Sequence, residues 1–288
     1  MKKPSPLFAD LGLVTVTIFW GSTFILSKMV LEEISLVTYL IIRLNLAALI
    51  ISLYAVQYWR EFSVRTLYHG LVLGVFLFLS YLFQMWGIQY TSASNAGFIT
   101  GLNVVFVPLF SILFFHDHPR ISSIIGVLFA TSGLYFLSGG DFSALSKGDW
   151  LVFICAVTVT FHVIYTGKFA FRNNIYLLTA VQILVTGLLS LTLLPFETEK
   201  YPDLNMNILL LLFYLALFGT VYTFLMQTAM QRFTTATRTA LVFSLEPVFA
   251  ALFAFIIAGE LLTSSAWFGG FLIVCGMLIA EIRWKNFL

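Results

Sequence analysis

Thr91 to Asp117 reads TSASNAGFITGLNVVFVPLFSILFFHD, and 143 residues further on Thr234 to Glu260 reads TTATRTALVFSLEPVFAALFAFIIAGE. The two windows agree at seven positions: Thr91/Thr234, Ala93/Ala236, Leu102/Leu245, Val105/Val248, Phe106/Phe249, Leu109/Leu252 and Phe110/Phe253. Both end in an acid, Asp117 and Glu260. The same offset carries Ser80 and Gln84 onto Thr223 and Gln227, and Gly126 and Gly133 onto Gly269 and Gly276. Paired polar and glycine positions outside the window are what two similar apolar helices matched by chance would lack. The chain therefore reads as a duplication.

Each copy is a set of long apolar runs. Of 288 residues, 60% are apolar, 17% aromatic and 10% charged, and the mean hydropathy is +0.98. A water-facing surface needs about 25% charge, so a cytosolic enzyme, a secreted disulfide scaffold and a disordered chain are excluded. The net charge of +2 leaves no basic patch for phosphate tracking, so no nucleic acid is expected as a partner. Cys155 and Cys275 lie within apolar runs and read as small hydrophobes. About 20 apolar residues cross a bilayer. Ten stretches suffice: 7–29, 36–58, 67–88, 93–115, 121–138, 150–167, 175–195, 208–230, 236–258 and 264–283. The first, behind Lys2 and Lys3, is too long for a signal-peptide core and reads as a retained span. Polar residues concentrate in the connections 139–149 and 196–207.

The predicted fold is thus an all-α membrane protein of ten transmembrane helices, with residues 1–140 holding helices 1 to 5 and residues 148–284 holding helices 6 to 10. Five is odd, so the second copy enters the membrane upside down. Two inverted halves around a central cavity are the architecture of secondary transporters, whose site opens to either side in turn. Alternation gathers Lys2, Lys3, Arg60, Arg65, Arg120, Lys168, Arg172, Arg232, Arg283 and Lys285 on one side, against Lys28, Lys147 and Lys200 on the other. The positive-inside rule then puts both termini in the cytoplasm of a multi-pass inner (plasma) membrane protein.

The chain resembles the drug/metabolite transporter superfamily, EamA-like family, over essentially its whole length. The resemblance rests on Trp20-Gly21-Ser22-Thr23-Phe24 with Lys28, on Tyr90-Thr91-Ser92-Ala93 followed by Gly101-Leu102-Asn103-Val104-Val105-Phe106-Val107-Pro108, and on Leu245-Glu246-Pro247-Val248-Phe249 ending in Gly259-Glu260. It implies a ten-helix carrier of amino acids, metabolites or drugs.

Glu246 is the sharpest candidate site residue. An ionised carboxylate near mid-membrane costs about 2.5–3.5 kcal/mol, so it is expected to pair with a cation, exchange a proton or bond the solute, or else to tie a neighbouring helix. Pro247 and Pro108 should each bend their helix and free a carbonyl. Since they sit four residues out of register, the two bends are expected to be unsymmetrical. Arg43 reads either as a charge partner of Glu246 or holder of an anionic solute group, or as an arginine snorkelling to the interface. Arg238 is expected to snorkel. Helical spacing puts Trp20, Thr23 and Ser27 on one face, Ser80, Tyr81 and Gln84 on another, Thr158, His162 and Tyr165 on a third, and Thr220, Thr223, Gln227 and Gln231 on a fourth. Asn103 is the repeat equivalent of Glu246. The expected solute-binding set is Trp20, Thr23, Tyr81, Gln84, Asn103, His162, Tyr165, Gln227 and Glu246, with Glu246 and Arg43 in coupling or charge pairing. Trp20, Tyr81, Trp86 and Tyr165 would offer stacking surfaces.

His116-Asp117-His118 cannot aim three adjacent residues at one ion, so no metal is expected, and no cofactor: the chain has no P-loop. The expected function is secondary active export of small metabolites such as amino acids, or of drugs, by alternating access with possible coupling to protons. The competing readings are a membrane enzyme or scaffold acting on lipid-like molecules. A small-molecule substrate and the lipid bilayer are the expected partners of a monomer or weak homodimer.

Overall fold

Polar side chains placed just before apolar runs start the helices. Ser35, Ser63, Ser146, Asn174, Asn205 and Thr235 have extended backbone, and each side chain accepts a hydrogen bond from an N–H two or three residues on. Ser146 and Asp149 complete a reciprocal capping box, which starts its helix three residues before the expected Trp150. In the computed structural model, which describes residues 6–91, 93–137, 146–197, 204–259 and 263–281, the chain runs through α1 (Pro6–Leu31), α2 (Leu36–Ala55), α3 (Val64–Ile88), α4 (Ala93–Gly101), α5 (Asn103–Phe115), α6 (Ile121–Leu137), α7 (Lys147–Ala170), α8 (Ile175–Ser190), α9 (Met206–Ala216), α10 (Thr223–Met230), α11 (Ala236–Phe243), α12 (Glu246–Ala258) and α13 (Ser264–Glu281). A π-helical turn, Leu217–Tyr222, joins α9 to α10. No strand occurs among the described residues. Lys2, Lys3, Lys200, Glu260, Arg283 and Lys285, on which part of the orientation and repeat reading rests, lie outside them.

By length and composition, seven of the described helical stretches can cross a membrane, and three shorter apolar ones (Ile99–Phe115, Ile121–Phe136 and Ser264–Ala280) fall within the fourth, fifth and tenth expected spans. The chain is an all-helical, multi-pass membrane protein.

Contacts give the helices their relative directions. Ser80 of α3 bonds Thr158 of α7 at 3.0 Å, while His69 stacks on Phe169 at 3.9 Å, so α3 and α7 are antiparallel. Gly70 meets Val181 and Gly74 meets Val185, so α3 and α8 are parallel. The packing of α6 on α13 involves the glycines paired by the repeat. A Cβ added to Gly126 would lie 2.6 Å from the Gly276 carbonyl oxygen, and one added to Gly133 would lie 2.5 Å from that of Gly269. The helices cross antiparallel with their backbones in close approach, which only small residues permit.

The helix interruptions fall at matching positions of the two copies. α4 stops at Gly101 and α5 restarts at Asn103, while α11 stops at Phe243 and α12 restarts at Glu246, equivalent places in the repeat. Tightened turns mark both breaks: Leu102 N–H donates to Ile99 at 3.2 Å and Leu245 N–H to Val242 at 3.0 Å, each three residues back. Pro247 sits in the first turn of α12, where its missing N–H is tolerated. Pro108 lies inside α5 without ending it. The α11/α12 break thus falls just ahead of Pro247, as expected, while the α4/α5 break follows the repeat register and not Pro108.

Candidate functional site

A cavity of about 60 Å³ opens where α1, α2, α3, α4, α5, α7, α10 and α12 converge. Trp20 and Thr23 come from α1, Arg43 from α2, and Leu77, Ser80, Tyr81 and Gln84 from α3. Thr100 and Asn103 flank the first break and Glu246 the second, while Val159, His162 and Val163 of α7 and Phe224 and Gln227 of α10 complete the wall. Both sequence halves contribute. Of the expected solute-binding residues, Trp20, Thr23, Tyr81, Gln84, Asn103, His162, Gln227 and Glu246 line this one space, as does Arg43.

Tyr165 does not. It stacks between Phe76 at 5.7 Å and Phe169 at 5.4 Å, with Phe115 edge-on at 5.6 Å. A three-residue step advances a helix by about 300°, so Tyr165 falls short of the His162 face and joins the Phe161/Phe169 ridge, which repeats every four residues. Trp86 also lies away from the cavity, against the Lys147 ammonium at 5.7 Å.

Arg43 does not snorkel. It is 2% exposed, and neutral groups satisfy its guanidinium. Nε donates to Thr220 Oγ1 at 3.2 Å, Nη1 to Ser27 Oγ at 3.4 Å and to the Tyr39 hydroxyl, and Nη2 to the Tyr81 hydroxyl at 3.3 Å and the Gly219 carbonyl at 3.2 Å. Its charge also stacks on the Tyr81 ring, 4.9 Å from the centroid. The Gly219 carbonyl can accept because it belongs to the π-helical turn, whose widened ladder leaves acceptors off the regular pattern. Arg43 and Glu246 share the cavity without forming an ion pair. The ion pairs recorded among the described residues are Lys168–Asp117 at 2.9 Å and Arg238–Asp10 at 2.5 Å. The second corrects the expectation for Arg238, whose head turns inward to α1. His116, in left-handed backbone, ends α5, and the described residues hold no group of three metal-ligating side chains.

Other cavity groups lack partners. Among the described residues, Thr100 Oγ1, Asn103 Oδ1 and Gln227 Oε1 are buried without a hydrogen bond, and none is recorded for the Glu246 carboxylate. Each such group costs about 1–3 kcal/mol if left unmet. Asn103 and Glu246 open α5 and α12, so two half-helix N-termini, positive ends of their dipoles, face this space. His162 is anchored, with Nε2 2.9 Å from Gln182 Oε1, and Gln182 Nε2 donates to Thr228 Oγ1 at 3.3 Å. The spacing argument missed Tyr39, Phe224 and the Gly219 carbonyl. Tyr39 was findable, one helical turn before Arg43.

The EamA-like transporter family model matches residues 7–139 and again 146–281. The chain belongs to the EamA-like transporter family. An uncharacterized transporter of Archaeoglobus fulgidus is 35% identical over 277 residues, covering 96% of this chain and 87% of that one. The uncharacterized transporter YyaM of Bacillus subtilis is 24% identical over 285 residues, covering 93% of this chain and 92% of that one. A solved crystal structure, 18% identical, covers 97% of this chain and 98% of that chain with a TM-score of 0.78, a likeness of fold. EamA membership and relatives named as transporters make the chain a membrane transporter. The two family matches flank residues 140–145.

Proposed function

We propose that the protein is a secondary active transporter that exports a small polar or amphipathic metabolite, such as an amino acid, by alternating access at the central cavity. Its ten crossings form two inverted five-helix halves in the inner (plasma) membrane, both termini are cytoplasmic, and one chain suffices. One observation carries the reading: a cation, Arg43, a carboxylate, Glu246, and the unbonded side-chain oxygens of Thr100, Asn103 and Gln227 converge on one cavity built from both halves. A solute with its own donors and a charged group is what such a wall accommodates, because binding relieves groups that are otherwise unmet. The antiparallel seam of α6 and α13, with its repeat-paired glycines, and the breaks at equivalent positions support the inverted arrangement. Glu246 is the proton-coupling group, since it faces the cavity with no fixed partner among the described residues and can exchange a proton as the cavity changes sides.

Purified protein in liposomes, screened with radiolabelled amino acids and related metabolites under an imposed pH gradient, tests this. Wild type should accumulate a solute against its gradient, whereas Glu246→Gln should lose accumulation and keep solute exchange. Unchanged gradient-driven accumulation in E246Q refutes the coupling role. Absence of protein-dependent flux across the screen refutes the transport reading for these solutes.

A further inference from the structure

A second cavity, of about 440 Å³, lies at the end of the bundle where α3 and α8 begin, and its walls include Glu61, Thr66, Arg172, Asn173, Asn174 and Arg232. It shares no residue with the central one. Arg172 and Arg232 reach it from different connections, and among the described residues neither guanidinium has a recorded hydrogen bond or ion pair. Glu61, the acid in the same wall, accepts at Oε2 from Asn174 Nδ2 of that wall at 2.9 Å, and the two arginines outnumber it. A concavity walled by excess positive charge concentrates anions.

Aromatic rings place this cavity at a particular depth. Trp59 stacks on Phe62 at 4.7 Å and Tyr58 on Tyr176 at 4.5 Å, and Trp59 and Phe171 are 63% and 61% exposed. Exposed aromatic rings gather at the boundary between hydrocarbon and headgroups, which is where lipid phosphates lie.

We propose that this cavity binds a phosphate group, held by the guanidinium groups of Arg172 and Arg232, with an anionic phospholipid headgroup as its supply. Guanidinium groups match phosphate oxygens two at a time, and basic pockets between helices at the headgroup level recruit such lipids. The inference does not depend on what the central cavity carries. Calorimetric titration of the purified full chain in a non-ionic detergent, with dihexanoyl phosphatidylglycerol in one arm and inorganic phosphate in the other, tests it. Wild type should bind, and R172Q/R232Q should bind about thirty-fold more weakly, roughly five-fold for each arginine lost. R172K/R232K keeps both charges and loses the two-pronged guanidinium geometry, so it should bind more weakly than wild type and more tightly than R172Q/R232Q. Charge-dependent binding in the lipid arm supports the proposal with the membrane as source, and binding in the phosphate arm alone supports it with a soluble source. Binding of neither probe to wild type, or equal binding to wild type and R172Q/R232Q, overturns it.

Discussion

Arg43→Met should leave the protein folded and inactive, because the energies on either side of this residue nearly cancel. The guanidinium makes five recorded hydrogen bonds, to Thr220, Ser27, Tyr39, Tyr81 and the Gly219 carbonyl. At about 0.6 kcal/mol for each polar contact between membrane helices, losing them costs about 3 kcal/mol. Removing an arginine from the membrane interior returns about 2.5–3.5 kcal/mol on insertion scales. The hydroxyls left behind are not stranded: Ser27 and Tyr39 stay bonded at 2.7 Å, and Tyr81 and Thr220 at 3.2 Å. Methionine fills much of the vacated volume with a flexible apolar chain. The melting temperature in detergent should therefore lie within about 4 °C of wild type, while solute flux in liposomes falls at least tenfold. A large loss of thermal stability would make Arg43 a structural keystone. Wild-type flux would remove it from the site. Either result refutes the reasoning.

Gly126→Val should part α6 from α13, since the new Cβ would meet the Gly276 backbone carbonyl at 2.6 Å; an overpacking cost of about 1–3 kcal/mol predicts a lowered melting temperature, with Gly276→Val behaving alike. Tyr165→Phe should keep both flux and solute affinity, because the ring packs among Phe76, Phe115 and Phe169, whereas Tyr81→Phe removes a hydroxyl from the Arg43 network and should raise KM. Asp10→Asn removes the carboxylate of the largely buried Arg238–Asp10 pair between α1 and α11. It should lower the melting temperature more than removing the exposed Lys168–Asp117 pair, since exposed pairs contribute only about 0–1 kcal/mol.

What the sequence made legible is the helices and several of their faces. Apolar runs bounded by Ser35, Ser63, Asn174 and Asn205 are helices because capping is local chemistry, and the glycine pairs at offset 143 lie in the close α6–α13 seam because backbone approach needs small residues. Cavity residues spaced by four, such as Ser80 with Gln84, or anchored by the repeat, such as Asn103 with Glu246, arrive together. Tyr165 shows the limit. A residue three positions on sits at the edge of a face, and neighbouring rings decide which side it joins. The α11/α12 break is where Pro247 puts it, but the α4/α5 break is not where Pro108 would put it, because the proline rule is local, whereas the tightened turns at Leu102 and Leu245 recur where the fold brings two helices to the cavity. Arg43 was ambiguous because its partners are largely on other helices, and one of them, the Gly219 carbonyl, becomes available through a π-helical turn that no side-chain pattern announces.

The most direct test of the account is the reactivity of one position from both sides of the membrane. With both native cysteines replaced and activity retained, Asn103→Cys in right-side-out and inverted vesicles should react with a membrane-impermeant thiol reagent from either face, and a transported solute should slow both reactions. Labelling from one face alone, unchanged by solute, would contradict a cavity that opens alternately to the two sides.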